Sequence, residues 1–161
     1  MLRGRPWYNV RVSEHRKKRH NKTLLLYHLV CPTKYRKEVF THAVEQTLKE
    51  ICGEITKRYE IYYVEIGTDQ DHVHFLIQTV PMMAPTRMAQ TTKSITAKEL
   101  FLRHPEIKKL LWKGHFWTSG YYVNTVGHYA NETVIRNYVK NQGKNYKRIH
   151  RGQLTIFQDV V

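Results

Sequence analysis

The most informative segment of the chain is residues 67–78, Gly67-Thr68-Asp69-Gln70-Asp71-His72-Val73-His74-Phe75-Leu76-Ile77-Gln78. The first residues favour a tight turn, and the run that follows predicts a β-strand, which makes this stretch part of a hairpin. Side chains alternate between the faces of a strand, so His72 and His74 lie on one face, about 7 Å apart. Two such imidazoles can bind one divalent metal ion if a third ligand comes from elsewhere. The pattern alone is also compatible with a half-buried strand whose histidines face solvent.

A second segment supplies groups that would complete such a site. Residues 132–146 lack proline and predict a helix with one apolar side. Tyr138 and Gln142 are four positions apart, so they lie one turn apart on the same face of that helix. A phenolic hydroxyl beside an oxygen ligand, brought to the pair of histidines, would be a nucleophile next to a metal ion. A Tyr-to-Gln spacing of four is common, and only the H-x-H pair gives it meaning.

The composition indicates a globular protein with a polyanionic partner. The 161 residues suit one compact domain, and 41% of them are hydrophobic and 25% charged. The formal net charge is +14, which makes nucleic acid the first candidate partner and a membrane surface a weaker one.

Cys31 and Cys52 lie in apolar segments without a C-x-x-C motif, and we expect both to be buried free thiols. The sequence has no apolar run of the roughly 18–20 residues that cross a bilayer, so we expect a cytoplasmic protein and no membrane partner.

The order of predicted elements indicates an α+β fold. Residues 1–22 form a basic N-terminal arm, and residues 23–161 form the domain. Within the domain the pattern predicts, in order, a strand at Thr23–Pro32, a helix at Glu38–Tyr59, strands at Ile61–Gly67 and His72–Val80, a helix at Pro85–His104 and a strand at Tyr121–Val126. This β-α-β-β-α-β order predicts a ferredoxin-like, four-stranded antiparallel sheet with helices on one face, followed by an additional C-terminal helix that carries Tyr138.

At this point the chain resembles a known family, the single-tyrosine HUH transposases of small bacterial and archaeal insertion sequences, often called the TnpA type. The resemblance extends from about Thr23 to about Tyr146. It is carried by Thr33-Lys34-Tyr35-Arg36, by Asp71 through Leu76, by Trp112 through Tyr122, and by Tyr138 through Gln142. One departure is the arm before Leu24, which is longer and more basic than the family pattern.

The resemblance implies an enzyme that nicks and joins single-stranded DNA near imperfect hairpins at the ends of a mobile element. It implies His72, His74 and Gln142 as metal ligands and Tyr138 as the nucleophile. The expected metal ion is Mg²⁺ in the cell, with Mn²⁺ a better match to two nitrogen ligands in vitro. The expected location is the cytoplasm of a bacterial or archaeal cell, in association with the nucleoid.

The resemblance also implies a homodimer in which the tyrosine helix of one subunit lies over the histidines of the other. Two sequence features agree with this arrangement. Gly127 precedes the tyrosine helix and can adopt backbone angles that direct the helix away from its own sheet. The strand at Tyr121–Val126 could pair with its twin across a two-fold axis.

Several residues have two readings at this stage. Asp71 either orients a histidine or belongs only to the turn. The aromatic residues Trp112, Phe116 and Trp117 either stack on unpaired bases or cap the sheet. The basic residues that could contact phosphates, each of which could also be a solvated charge, are Lys34, Arg36, Lys93, Arg136, Lys140 and Lys144.

Three other functions share these features. A replication-type nickase or a relaxase uses the same chemistry, but such proteins often carry two tyrosines and larger domains. A domesticated relative that processes chromosomal hairpins has the same signature. A non-catalytic nucleic-acid-binding module can have the same element order, but it would place exposed aromatic residues on the central strands, where this chain has His72 and His74.

Overall fold

The computed structural model of the chain describes residues 15–126. The elements are β1 at Arg16–Lys18, β2 at Asn21–Thr23, β3 at Leu25–Pro32, α1 at His42–Arg58, β4 at Tyr62–Thr68, β5 at His72–Thr79, α2 at Pro85–Arg103, α3 at Ile107–Leu110 and β6 at Tyr122–Val126, with short 3₁₀ turns at Lys34–Arg36 and Trp112–Gly114. The predicted tyrosine helix lies outside the described residues, together with Gly127, Arg136, Tyr138, Lys140, Gln142 and Lys144.

The main sheet has four antiparallel strands in the order β4-β5-β3-β6. Strands β5 and β3 are central, and β4 and β6 form the two edges. If the four strands are renumbered 1 to 4 along the chain from β3, their order in the sheet is 2-3-1-4. Along the chain, α1 connects β3 to β4 and α2 connects β5 to β6. The ferredoxin-like β-α-β-β-α-β prediction is therefore confirmed for the described residues.

Alternation along the strands divides the sheet into a helix-facing side and an opposite side. Val73, Phe75 and Ile77 of β5 belong to the core that includes buried residues of α1 and α2. The alternate β5 residue Leu76 belongs instead to a small cluster with Leu26, Val64 and Val126. His72 and His74 alternate with the helix-facing residues, so they lie on the opposite side, which we call the histidine face.

Helix α1 begins four residues later than the sequence predicted. Thr41 is the N-cap, and its hydroxyl accepts a hydrogen bond from the Val44 N–H at 3.4 Å. The backbone before Thr41 is hydrogen-bonded to the turn between β4 and β5. The N–H groups of Val39 and Phe40 both donate to the Gln70 carbonyl, at 2.9 and 3.3 Å. The chain therefore packs on the β4–β5 turn before the helix starts. Helix α2 begins at Pro85, as predicted, and ends one residue before the predicted His104.

Part of the basic arm is folded. Residues 16–23 form a two-stranded antiparallel hairpin, β1–β2. The Arg16 guanidinium lies 3.5 Å from the centre of the Tyr62 ring, and Lys18 forms an ion pair with Glu60. Strand β3 begins at Leu25, two residues after the predicted Thr23, because Thr23 ends this hairpin. The hairpin thus packs beside the start of β4.

Two further expectations concern burial. Cys31 and Cys52 are buried free thiols, as predicted, and burial raises the pKa of Cys31 to about 12. Within residues 15–126, the helices are too short or too polar to cross a membrane.

Candidate metal-binding and nucleic-acid site

The two histidines of the H-x-H pair are close together and almost completely buried. His72 is 2% exposed and His74 is 1% exposed, and their ring centroids are 4.9 Å apart. They lie on β5, at the end next to the turn, opposite Pro32 and Val30 of β3. The strand placed the two rings on one face, as alternation predicted, but the alternative of histidines facing solvent is wrong.

His72 is oriented by a carboxylate that is itself paired. Its Nδ1 lies 2.7 Å from Asp71 Oδ1, and the other oxygen of that carboxylate lies 2.8 Å from Arg36 Nε. Burial alone would raise the pKa of Asp71, but the hydrogen bond with His72 and the charge of Arg36 together lower it. An ionised Asp71 accepts a hydrogen bond from the Nδ1–H of His72, so Nε2 is the nitrogen of His72 that would bind a metal ion. The orienting role considered for Asp71 is supported by these contacts.

The segment after β3 fixes Asp71 from the other side. The backbone N–H of the buried Thr33 donates to the Asp71 carbonyl at 2.9 Å, and the Thr33 hydroxyl lies within hydrogen-bond distance of two carbonyls, those of Asp71 at 2.9 Å and Lys37 at 2.7 Å. The next residues form a 3₁₀ turn in which Tyr35 and Arg36 have φ of 58° and 53°. Left-handed backbone is unfavourable for such side chains and persists where the surrounding contacts impose it. Here it brings the Arg36 side chain to Asp71.

His28 is a site residue that sequence reasoning missed. Its Nε2 lies 2.9 Å from Nδ1 of His74, and the two rings stack with centroids 5.1 Å apart and planes inclined by 21°. Burial lowers the pKa of His28 to about 4, so the ring is neutral at physiological pH. No spacing rule could find this contact, because His28 lies 46 positions from His74 and is diagonal to it across the β3–β5 pair. A buried histidine in an otherwise apolar strand was the available signal.

These contacts fit a metal centre on the histidine face. In both rings Nδ1 has a side-chain partner, which is Asp71 for His72 and His28 for His74. Two neutral imidazoles suit Mn²⁺ and related divalent ions, and a site with open positions needs at least one more oxygen ligand. Residues 15–126 contain no group of three or more His, Cys, Asp and Glu side chains that could bind a metal ion. The predicted third ligand, Gln142, lies outside the described residues.

The basic residues proposed for phosphate contacts have different surroundings. The Lys93 ammonium donates to the carbonyls of residues 118, 119 and 120, at 2.8, 3.0 and 2.9 Å, and burial lowers its pKa. All three of its N–H donors therefore bind the loop before β6, a structural role that the sequence did not predict. Arg36 contacts Asp71. Lys34 lies with its ammonium 5.1 Å from the Tyr35 ring centre, and its backbone N–H donates to Phe116.

The aromatic residues also divide into two groups. Phe116 and Trp117 are buried in the helix-facing core, where the Trp117 indole N–H donates to Thr96 at 3.0 Å. The capping reading is confirmed for these two. Trp112 is 73% exposed, beside Lys113, and remains a candidate for stacking on bases. A groove of about 580 Å³ opens between α2 and this loop, and residues that line it include Lys34, Gln90, Ser94, His115, Trp117 and Tyr121.

Comparisons with known proteins agree on one family. The family model described as "Transposase IS200 like" matches residues 21–142, a range that includes both histidines and ends at Gln142. The ISDra2 transposase TnpA of Deinococcus radiodurans is 30% identical over 118 residues, which are 73% of this chain and 84% of that protein. The transposase for insertion sequence element IS200 of Salmonella typhimurium is 28% identical over 116 residues, 72% of this chain and 75% of that protein. A crystal structure of a candidate transposase from Deinococcus radiodurans R1, also 30% identical, superposes with a TM-score of 0.64 and covers 80% of this chain and 98% of that one.

Proposed function

Because this chain belongs to the IS200-like transposase family, we propose that it nicks and rejoins single-stranded DNA at hairpin-bearing element ends through a 5′-phosphotyrosine intermediate. The observation that carries the proposal is the pair of buried histidines, each with its Nδ1 engaged by a neighbouring side chain. A non-catalytic nucleic-acid-binding module is disfavoured, because β3 and β5 present no exposed aromatic side chain.

The proposed metal ligands are His72, His74 and Gln142, with Mg²⁺ as the cellular ion and Mn²⁺ as a substitute in vitro. A divalent ion at this position would neutralise charge on the scissile phosphate and stabilise the departing 3′ oxygen. The contribution of the chain itself is to place two neutral nitrogen ligands on a rigid strand. Asp71 and His28 orient these rings, so little rotational freedom has to be lost on binding.

Tyr138 is the proposed nucleophile. Its phenolic oxygen forms a bond to the scissile phosphorus while the bond to the 3′ oxygen breaks, which leaves a 5′-phosphotyrosine and a free 3′-OH. A different 3′-OH can then attack the same phosphorus and release the tyrosine. The bond energy is retained in the phosphotyrosine, so the joining step needs no nucleotide.

The test of this proposal is the covalent adduct. Wild-type protein incubated with a single-stranded element end and Mn²⁺ should give a protein–DNA band on a denaturing gel. Tyr138→Phe should lose the adduct and keep its DNA affinity, because only the phenolic oxygen is removed. His72→Ala should lose it as well. An undiminished adduct with Tyr138→Phe would assign the nucleophile to another residue, and full activity in excess chelator would contradict the metal site.

We further propose a homodimer with composite sites, in which one chain supplies the two histidines and the other supplies Tyr138 and Gln142. Strand β6 supports this arrangement because it is an edge of the sheet with Asn124 and Thr125 exposed, available for pairing with a twin strand. Mixing Tyr138→Phe chains with His72→Ala/His74→Ala chains tests it. Composite sites predict that the heterodimer regains one working site, whereas a dead mixture with proven heterodimers would indicate sites within single chains.

The proposed partner is single-stranded DNA with imperfect hairpins, and the proposed location is the cytoplasm, in association with the nucleoid. The net charge of +14 supports a DNA partner, since neutralising phosphates releases counterions. The basic residues proposed for DNA contact outside the described part of the chain are Arg136, Lys140 and Lys144. Among the described residues we propose Lys34 for DNA contact, because it borders the groove beside the aromatic loop, whereas the ammonium of Lys93 in the same groove donates to three carbonyls.

A further inference from the structure

The two buried histidines of the H-x-H pair are oriented by groups of different chemistry. Asp71, a carboxylate, contacts His72, whereas His28, an imidazole, contacts His74. An ionised carboxylate has no hydrogen to donate, so beside a neutral imidazole it can act only as the acceptor. An imidazole can either donate or accept, so the direction of the His28–His74 bond decides which nitrogen of His74 carries the proton.

The two directions have opposite consequences for metal binding. If His28 donates from Nε2, the Nδ1 of His74 is the acceptor and its proton lies on Nε2, the atom that would have to bind the metal. If His28 accepts, Nδ1 of His74 carries the proton and Nε2 presents a lone pair. Only the second arrangement makes His74 match His72, whose Nδ1 faces the Asp71 carboxylate.

We propose that His28 is a positioning residue for His74, whose Nδ1–H it accepts at its own Nε2, so that Nε2 of His74 is the metal-binding atom. This inference rests on the metal site of the proposed function. The stacked geometry supports the positioning role of His28, since a 5.1 Å centroid separation and planes inclined by 21° fix the rotation of both rings; the direction of the bond follows from the need for a lone pair on Nε2 of His74. His28 also lies among apolar side chains of β3 and is only 7% exposed, a place where an imidazole is costly unless it makes a specific hydrogen bond.

The choice of an imidazole has a chemical consequence. Asp71 brings a negative charge, which Arg36 compensates at 2.8 Å. His28 orients the second ligand without adding any charge. A bound cation therefore keeps more of its positive charge for the scissile phosphate than it would beside two carboxylates.

The first measurement needs no substitution. Long-range ¹H–¹⁵N spectra of metal-free wild-type protein distinguish a protonated Nδ1 from a protonated Nε2 in each histidine. The expected result is that His74 carries its proton on Nδ1. A proton on Nε2 of His74 would overturn the proposal directly, whatever the metal affinity proves to be.

The second measurement compares Mn²⁺ affinity across variants by calorimetry. His28→Phe keeps a stacking ring but has no acceptor, and it should weaken Mn²⁺ binding about 10–100-fold. His28→Gln has an amide oxygen that can accept the same proton, and it should stay within about threefold of wild type. Tyr63→Phe is the matched control, because it removes a buried 2.7 Å hydrogen bond to Thr92 on the helix-facing side and should leave Mn²⁺ affinity unchanged.

The outcomes separate the inference from the proposed function. If wild type binds no Mn²⁺, the metal site itself is refuted. If wild type binds Mn²⁺ and His28→Phe binds it equally well, the role of His28 is refuted while the metal site stands. If Tyr63→Phe weakens binding as much as His28→Phe, a general loss of rigidity explains the effect and the inference fails. If His28→Phe does not fold, the other two measurements still test the role of His28. A large loss of Mn²⁺ affinity in His28→Gln, or a proton on Nε2 of His74 in the wild-type spectra, would refute it.

Discussion

The two faces of the central strand β5 are equally buried but chemically opposite. All eight residues from His72 to Thr79 are buried. On the helix-facing side Val73, Phe75 and Ile77 pack against α1 and α2, whereas the histidine face carries imidazoles next to Leu76. Burial stabilises apolar side chains but penalises polar ones that lack specific partners. The helix-facing side therefore stabilises the fold. Burying imidazoles on the histidine face reduces that stability but holds the site in a fixed geometry.

The largest expected effect tests this division by comparing neighbours on opposite faces. Phe75→Ala removes a fully buried ring and should lower the free energy of unfolding by about 3–5 kcal/mol. His74→Ala removes a ring that is almost as buried, but its main cost is the lost hydrogen bond with His28, about 1–3 kcal/mol. Urea unfolding followed by circular dichroism measures both. Equal losses would show that the histidine face is part of the stabilising core.

The next prediction concerns the orienting carboxylate of the histidine face. Asp71→Asn keeps an oxygen that can face His72, but it leaves the positive charge of Arg36 uncompensated beside the site. Unlike His28→Gln, which changes no charge, it should therefore weaken Mn²⁺ binding about 10–100-fold. Asp69→Asn, in the same turn, is the matched control and should change affinity little, because the Asp69 side chain accepts a hydrogen bond from the neighbouring Gln70 N–H, which an amide oxygen can also accept. Calorimetry measures both variants. If Asp71→Asn binds Mn²⁺ with wild-type affinity, Asp71 does not support the metal site and belongs only to the turn.

A third prediction concerns Lys93, on the helix-facing side. Lys93→Met should lower the free energy of unfolding by about 1–2 kcal/mol, because three carbonyls of the loop before β6 lose a charged donor. Lys98→Met, an exposed position on the same helix, should stay within about 0.5 kcal/mol of wild type. DNA binding at several salt concentrations supplies the opposing test. If Lys93→Met leaves stability unchanged and reduces the slope of log K for DNA binding against log salt concentration by about one, Lys93 is a phosphate contact instead.

The smallest expected effect is at the start of α1. Thr41→Ala should cost about 1 kcal/mol of stability, because the hydroxyl that accepts from the Val44 N–H is lost. Thr47→Ala is a control within the same helix. Its hydroxyl bonds back to the Ala43 carbonyl, an interaction that adds little to a helix, so this variant should be neutral or slightly stabilising. Equal losses in thermal denaturation would indicate that helix propensity rather than capping explains the Thr41 result.

Much of the fold could be predicted because it depends on local patterns. The period-two alternation from His72 onward predicted the strand and the shared face of its histidines, and Pro85 and Pro105 bounded the second helix. The start of α1 was predicted too early because Glu38 and Val39 have no local feature that forbids a helix. The backbone N–H groups of Val39 and Phe40 instead donate to the carbonyl of Gln70, which is distant in sequence.

The candidate site divides in a similar way. The H-x-H pair has a recognisable spacing, and the family resemblance assigned the metal ligands and Tyr138. The metal-ligand roles of His72, His74 and Gln142 and the nucleophilic role of Tyr138 remain predictions, and Tyr138 and Gln142 lie outside residues 15–126. Lys93 and Arg36 were proposed for phosphates from charge alone, and charge does not reveal that carbonyls and a carboxylate already surround these side chains.

The order of the elements, the placement of two histidines on one strand face and the family could all be predicted from the sequence, since each depends on spacing along the chain. The orientation of those histidines, in contrast, depends on contacts between residues that are distant in sequence. The contacts of His28 with His74 and of Arg36 with Asp71 require a particular strand order and register and a left-handed turn after β3. Hydrophobic periodicity specifies which face a side chain occupies, but not which residue of a distant strand lies beside it.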